Sequence, residues 1–519
     1  MADTKRETER KYEASADASA KAHDETRLPD LTKVAGVSSV RDEGVAELDA
    51  VYYDTADLRL AADSITLRRR TGGADAGWHL KLPVSPDVRD EIREPLTDDP
   101  PPSLVALTRS RTRAEPLVPV VRLRSVRDVR HLLDARGELL AEVSVDTVTA
   151  QRLGVPASGA TTHWTEIEVE LADKGDPAFL DAVGKKLRKA GLRPSTSASK
   201  LARALKDTAP SWQKPEKNRP DPPASGTAGD HVLAYLREQY ESLVAHDPAV
   251  RRDLPDSVHQ MRVATRRLRS AFRTNRKVLD RTVTDPVAAE LKWLARELGV
   301  DRDQEVLDAR LHARIDDVPE TLLMGPVRGR LRVWSVAGRE SSRAKTLAAL
   351  DSRRYLELLT ALHALLADPP LRPAASRPAA GVLPKAVHKD YGRLARRMES
   401  ALSLPHGEER DRALHSARKA AKRTRYAADA ARPALGKPAK RFSKRVKAVQ
   451  SALGAHQDSV VARETLRTLG AQAHAAGETA FTWGLLYGRE EAAAEAGQSE
   501  LPQVWKRATA GKSRADLGG

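Results

Sequence analysis

The segment TEIEVEL places Glu166, Glu168 and Glu170 at alternate positions, with Ile167, Val169 and Leu171 between them. Near the start of the chain, ETERKYEA spaces Glu7, Glu9, Lys11 and Glu13 in the same way. Successive side chains of a β-strand point to opposite faces, so each segment presents one acid-rich face. Three further segments alternate with cations. SITLRRR aligns Thr66, Arg68 and Arg70, GWHLKLP aligns His79 and Lys81, and VVRLRS aligns Arg122 and Arg124. Any one such strand reads as part of a sheet with a solvated face. Two acidic and three basic strands, with the signs segregated, fit a sheet curled so that the charges face inward. Neighbouring carboxylates are hard oxygen donors for Mg²⁺ or Mn²⁺. Arginines and lysines converging opposite them bind phosphoryl oxygens, arginine in a bidentate manner. Metal and cations together offset the charge on a transferred phosphoryl group, so the chemistry this pattern supports is phosphoryl transfer.

A second set of candidates lies further along. VHQMRVATRRLR, starting at Val258, is echoed by LHSARKAAKRTR, starting at Leu414, and His415 follows His259 by 156 positions. At the same offset Arg262 matches Arg418, Arg266 matches Lys422, Arg267 matches Arg423 and Arg269 matches Arg425. A later block repeats too, with Gly299 matching Gly454 and Asp303 matching Asp458 at an offset of 155. On a helix His259, Arg262, Arg266 and Arg269 share one face, as do His415, Arg418, Lys422 and Arg425. One such face reads equally well as solvated surface. Like charges one turn apart repel, however, and VHQMRVATRRLRSAFR contains no acid to offset them. Duplicating that cost implies a polyanionic partner, to which the histidines could donate hydrogen bonds.

The elements that carry these residues divide the chain. A length of 519 residues exceeds one compact core, so two or three domains are expected. Period-two segments fill the first part. Ala-, Leu- and Arg-rich segments of helical spacing fill the last, and a Pro-, Ser- and charge-rich stretch separates them. The reading is a domain over residues 1–206, a linker over 207–226, a helical domain over 227–510 and a tail over 511–519. The Pro-rich run from Ala367 to Pro384 splits the helical domain into repeats at about 227–366 and 385–510. The net charge is +16, and from Gly226 onward 52 Lys and Arg face 35 Asp and Glu, so the basic excess belongs to the helical part. The absence of cysteine excludes disulfides, Cys-bound zinc and thiol catalysis. No run of about 20 apolar residues is long enough to cross a bilayer, and MADTKRETERKYEAS lacks the apolar centre of a secretory leader. A cytoplasmic protein with no membrane partner is expected.

E-x-E-x-K at Glu7, Glu9 and Lys11, followed in order by YYDT, LRRR, HLKLP, the E-x-E of EIEVE, and SASKLARAL, resembles the CYTH superfamily of triphosphate tunnel metalloenzymes over about residues 5–206. The resemblance implies an α+β, multidomain chain that begins with an eight-stranded antiparallel β tunnel, charged inside. It makes Glu7, Glu9, Glu168 and Glu170 metal-site carboxylates, with Asp146 of VSVDTV a further one. Lys11, Arg68, Arg70, Lys81, Arg122, Arg124 and Lys200 would grip triphosphate, and Glu7, Glu9 and Lys11 would be catalytic. Glu166 and Arg127 are left unassigned. HxxRxxxRRxR and HxxRxxxKRxR, each followed by an LG…D loop, resemble the CHAD domain over about residues 227–510. That likeness implies an all-α duplicated bundle of two four-helix halves whose basic faces bind polyphosphate. Asp303 and Asp458 would be loop or capping residues without a ligand role. Lys422 keeps the charge of Arg266 but loses its planar fork.

Together the two resemblances imply a metal-dependent phosphohydrolase acting on inorganic triphosphate or polyphosphate ends. The alternative is a non-catalytic polyphosphate-binding or granule-associated protein. Nucleic acid is disfavoured as a partner because aromatics make up only 4% of the chain and few interleave the basic faces.

Overall fold

The computed structural model describes residues 3–14, 28–154, 159–208 and 226–510. The chain forms two units, Met1–Asn218 and Arg219–Gly519. The expected linker falls mostly between Thr208 and Gly226, and it and the tail lie largely outside the described residues.

The first unit contains β1 (Asp3–Ala14), β2 (Ser39–Asp54), β3 (Thr66–Thr71), β4 (Gly77–Ser85), β5 (Val88–Glu94), β6 (Val118–Leu133), β7 (Leu139–Arg152), β8 (Thr161–Leu171) and the short β9 (Leu192–Pro194). Strands run in the order β5-β4-β3-β2-β6-β7-β8-β1, and β1 also pairs with β5. The pairings are antiparallel and close an eight-stranded barrel, to which β9 adds at β1. This is the expected tunnel.

Its helices are α1 (Arg59–Ala62), α2 (Pro102–Thr112), α3 (Ala178–Lys189) and α4 (Lys200–Thr208). The apolar alternates of β1, β7 and β8, among them Tyr12, Val143, Ile167 and Val169, pack outward on Leu180, Val183 and Leu187 of α3. Leu201, Ala204 and Leu205 of α4 pack against Val148 and Trp164. Those two share a face with Asp146 and Glu166, two residues away on their strands, so α4 lies on the inner wall. One part of the interior is therefore apolar and filled by a helix, while the rest is charged. In YYDT, Asp54 is buried and accepts hydrogen bonds from the backbone of Thr55, Leu60 and Ala61, which fixes the start of α1.

The second unit is helical: α5 (Ala228–Arg251), α6 (Ser257–Thr274), α7 (Arg281–Asp316), α8 (Val327–Asp351), α9 (Arg353–Ala367), α10 (Ala379–Ser403), α11 (Glu408–Ala430), α12 (Arg432–Leu435), α13 (Lys437–Ala475) and α14 (Phe481–Thr509). A capping box of Thr227 with Asp230 starts α5. The run α5–α8 recurs as α10, α11, α13 and α14, in keeping with the sequence repeat. The second run begins at Ala379, ahead of the expected residue 385. Pro378 is the residue that precedes the helix, whereas Pro384 sits inside it, where it removes a single amide donor. No described helix is long and apolar enough to cross a membrane.

Candidate functional site

Three carboxylates converge inside the barrel. Asp146 of β7 stands across from Glu166 of β8, and Glu168 is one pleat further along. Their oxygens all lie within 4.8 Å of one another. The Lys200 ammonium, at the start of α4, sits among them at 3.0 Å from Asp146, 2.8 Å from Glu166 and 2.8 Å from Glu168. Arg127 of β6 donates to Asp146 at 2.7 Å and to Glu168 at 2.6 Å, and Lys11 also bonds Glu168. Burial works against charge on these groups, but opposite charges win. Lys200 and Arg127 are held well above their ordinary values, and Asp146 and Glu168 below theirs.

A second acidic patch joins β1 to β5. Lys81 Nζ lies 2.5 Å from Glu7 and 3.5 Å from Glu91, and Arg93 contacts both glutamates. Burial pushes the Glu7 carboxyl up to about 7; Lys81 opposes this, while Glu91 and Glu170 add to it. Lys11 stands 3.5 Å from Glu9 while bonded to Glu168, so it bridges the two patches. Arg89 lies 3.8 Å from Glu9. Arg68 donates to the Tyr52 hydroxyl at 3.3 Å and lies 3.8 Å from Glu91, and Arg70 pairs with Asp75. Burial first, then Arg68 and Arg127, lowers Arg70 to about 9. His79, buried, contacts Glu91 through Nδ1 and the Asp75 carbonyl through Nε2, both at 2.9 Å. Glu170 binds Lys5 at 2.5 Å, away from the three-carboxylate cluster.

The barrel thus gathers Glu7, Glu9, Lys11, Arg68, Arg70, Lys81, Asp146, Glu168, Glu170 and Lys200 on its inner wall. Arg122 and Arg124 do not join them. They share the outer face of β6 with Asp49 of β2, at 2.8 and 3.5 Å, and the Arg124 side chain is 65% exposed. Alternation groups these arginines correctly but does not say which face is inner. The inner face here carries Leu123, packed among the α4 contacts, and Arg127, across from Asp146. Lys5, Arg89, Glu91, Arg93 and Glu166 are further inner-wall groups that the strand reading omitted or left unassigned. The spacing of Arg89, Glu91 and Arg93 in VRDEIRE carried that signal.

The cluster Asp146–Glu166–Glu168 suits a hard divalent ion: it is an all-oxygen, buried donor set. Among the described residues Glu166 Oε1 has no hydrogen-bond donor in good geometry, and the Lys200 ammonium is its ion-pair partner at 2.8 Å.

In the helical unit α6 and α11 face one another. Lys422 of α11 is surrounded by Arg266 and Arg262 of α6 and by Arg418 of its own helix, with Asp458 of α13 the offsetting acid. Burial, then these arginines, lowers Lys422 to about 6. The two basic faces therefore meet in one basin. Burial also lowers Arg266, Arg269 and His415 from their ordinary values. His415 contacts Gln457, and Arg425 lies over the Tyr426 ring at 5.0 Å. Asp303 and Asp458 are not loop residues. They lie within α7 and α13 and pair with Arg262 at 2.8 Å and Arg418 at 3.5 Å. Gly299 and Gly454 lie one turn before them, and a Cβ there would come within 3.3 Å of Arg262 and 3.8 Å of Arg418. In the first copy the missing Cβ of Gly299 makes room for Arg262, whereas in the second a Cβ at Gly454 would meet Arg418 at ordinary contact distance.

A closed barrel lined by acids and cations, joined to a duplicated helical unit with one basic basin, defines a two-domain architecture that the family comparisons identify. The CYTH domain model matches residues 5–205 and the CHAD domain model residues 234–467, and the chain belongs to the proteins that join these two domains. The uncharacterized protein Rv2226 of Mycobacterium tuberculosis strain H37Rv is 39% identical over 495 residues, covering 93% of this chain and 94% of that protein. Among solved structures, PptA from Streptomyces chartreusis is 21% identical with a TM-score of 0.46, covering 54% of this chain and 100% of that one. The CHAD domain from the plant Ricinus communis is 25% identical with a TM-score of 0.41, covering 57% and 94%.

Proposed function

We propose that the barrel is a divalent-metal-dependent phosphohydrolase acting on inorganic triphosphate or polyphosphate ends, and that the helical unit binds the polyphosphate chain. The observation that carries this reading is the buried Asp146–Glu166–Glu168 cluster ringed by Lys11, Arg127 and Lys200 within one inner wall. Asp146, Glu166 and Glu168 would hold Mg²⁺ or Mn²⁺, with Glu7, Glu9 and Glu170 further along the wall. Such an ion, when bound, supplies Lewis acidity toward a phosphoryl oxygen. The chain's own residues do the rest. Arg68, Lys81 and Arg127 offer donors to phosphate oxygens, Arg127 and Arg68 with planar forks. The barrel wall excludes bulk water and strengthens each of these contacts. Binding energy placed on the non-reacting phosphates orients the terminal one.

Phosphate release from tripolyphosphate with Mg²⁺ or Mn²⁺, compared between the full chain and Glu168→Gln, tests the reading. The variant is expected to lose about a hundredfold or more in kcat, and unchanged release would count against the assigned cluster. A second reading, a binding protein with an idle barrel, has one observation in its favour: the cluster's carboxylates are already paired with cations. Absence of release from the unmodified chain under both metals would select it.

A further inference from the structure

We propose that Lys200 is the barrel's built-in counter-cation: it closes the Asp146–Glu166–Glu168 cluster when no divalent ion is held and must withdraw for one to enter. This rests on the metal reading of that cluster but on no particular substrate. The Lys200 ammonium lies 2.8–3.0 Å from one oxygen of each carboxylate, in the gap they enclose. Mg²⁺ and Mn²⁺ ligands stand at about 2.0–2.2 Å from the ion, so ammonium and ion cannot share that gap.

Three carboxylates face Lys200, Arg127 and Lys11, the last shared with Glu9, which leaves the cluster close to neutral. A divalent ion added to this set would bring an uncompensated double charge into a buried site, at a large cost in low dielectric. Withdrawal of Lys200 removes half of that excess, and a phosphate chain can offset the remainder. The withdrawn ammonium is then free to pair with phosphate, which orders the events: ion and anion favour each other's entry.

Lys200 is the first residue of α4, whose Leu201, Ala204 and Leu205 are packed on the inner wall. Ser199 caps the helix through the Ala202 amide at 3.1 Å, and Arg89 bonds the Ala198 carbonyl while lying 3.8 Å from Glu9. The residues leading into Lys200 are thus tied to the second acidic patch. A lysine stem has the freedom to swing without moving α4, so exchange needs no unfolding of that helix.

The test uses the full chain and Mn²⁺ alone, read by electron paramagnetic resonance of the free ion. Lys200→Met is expected to bind Mn²⁺ about tenfold more tightly than the unmodified chain, and Lys200→Arg to return to weak binding. In metal-free buffer Lys200→Met should melt below the unmodified chain, because three buried carboxylates lose their partner, and Mn²⁺ should restore it. Equal or weaker Mn²⁺ binding by Lys200→Met would overturn the proposal. Should that variant not fold, amine labelling of Lys200 in the unmodified chain, located by mass spectrometry, decides the question. Labelling should accelerate on saturation with Mn²⁺, and an unchanged rate overturns the exchange. A chain that releases no phosphate yet shows this Mn²⁺ behaviour would lose the hydrolase reading and keep the exchange.

Discussion

Lys200 in the barrel and Lys422 in the helical basin are the same residue type, both withdrawn from solvent, yet their surroundings drive them in opposite directions. Around Lys200, Asp146, Glu166 and Glu168 overcome the effect of burial and hold the ammonium well above its ordinary value. Around Lys422, burial and three arginines act together and bring it down to about 6. The barrel mixes both signs at contact distance, so its charges largely offset one another. The basin carries an excess of one sign, its acids Asp303 and Asp458 being paired with Arg262 and Arg418. Arg266, Arg269 and Lys422 have no ion-pair partner among the described residues. A site of the first kind suits chemistry on a charged group. A site of the second kind stores repulsion that a bound anion relieves.

The largest effect should come from reversing the basin's sign. Arg266→Glu combined with Lys422→Glu is expected to weaken polyphosphate binding by about a hundredfold or more at fixed salt, and to flatten its salt dependence. Titration of a fluorescently labelled polyphosphate at several salt concentrations would measure both. If affinity survives the double reversal, the basin is not the polyanion site and the contrast with the barrel collapses. Competition by RNA in the same titration should be weak, since few aromatic rings lie along the basin for bases to stack on.

A smaller effect sharpens the barrel side of the comparison. Arg127→Met is expected to raise the KM for tripolyphosphate about tenfold, whereas Arg122→Met should stay within about twofold, because only Arg127 faces the carboxylates. Equal losses in steady-state assays of the two variants would put the inner and outer faces of β6 in doubt.

That pair of arginines also marks where the sequence stops being legible. Period two tells which residues share a face, and it placed Glu166, Glu168 and Glu170 together, as it did Arg68 with Arg70. Choosing the inner face needs a further cue, and charge is a false one where a helix fills the barrel. The inner face of β6 begins apolar at Leu123, against α4, and turns cationic only at Arg127. In β5, Arg89, Glu91 and Arg93 alternate as faithfully as any strand, but their mixed sign hides them among ordinary surface charges. The helical repeat was plain because whole blocks recur. Its glycines read as loop residues, yet Gly299 and Gly454 lie inside α7 and α13, beside Arg262 and Arg418.

The smallest expected effect is one of pH, and it follows from Lys422. In the folded, anion-free protein this group loses its proton near pH 6, against an ordinary value of 10.5. Between those values the unfolded chain binds one more proton than the folded one. The group's contribution to stability therefore rises with pH across that window, and its full cost is present below pH 6. Polyphosphate reverses the local field, so the bound protein takes up the missing proton and affinity falls as pH rises above 6. Arg262 and Arg266 from α6, Arg418 from α11 and Asp458 from α13 set the field, and His415, also lowered, adds in the same direction. One fully linked proton would give tenfold per pH unit, and about threefold is expected once salt screens the basin. Lys422→Arg keeps its charge throughout and should flatten that dependence, so the difference between the two titrations from pH 6.5 to 8.5 isolates the lysine from any titration of the ligand. If the two curves run parallel, Lys422 is charged in the free protein, and the basin's cations are better compensated than the barrel comparison requires.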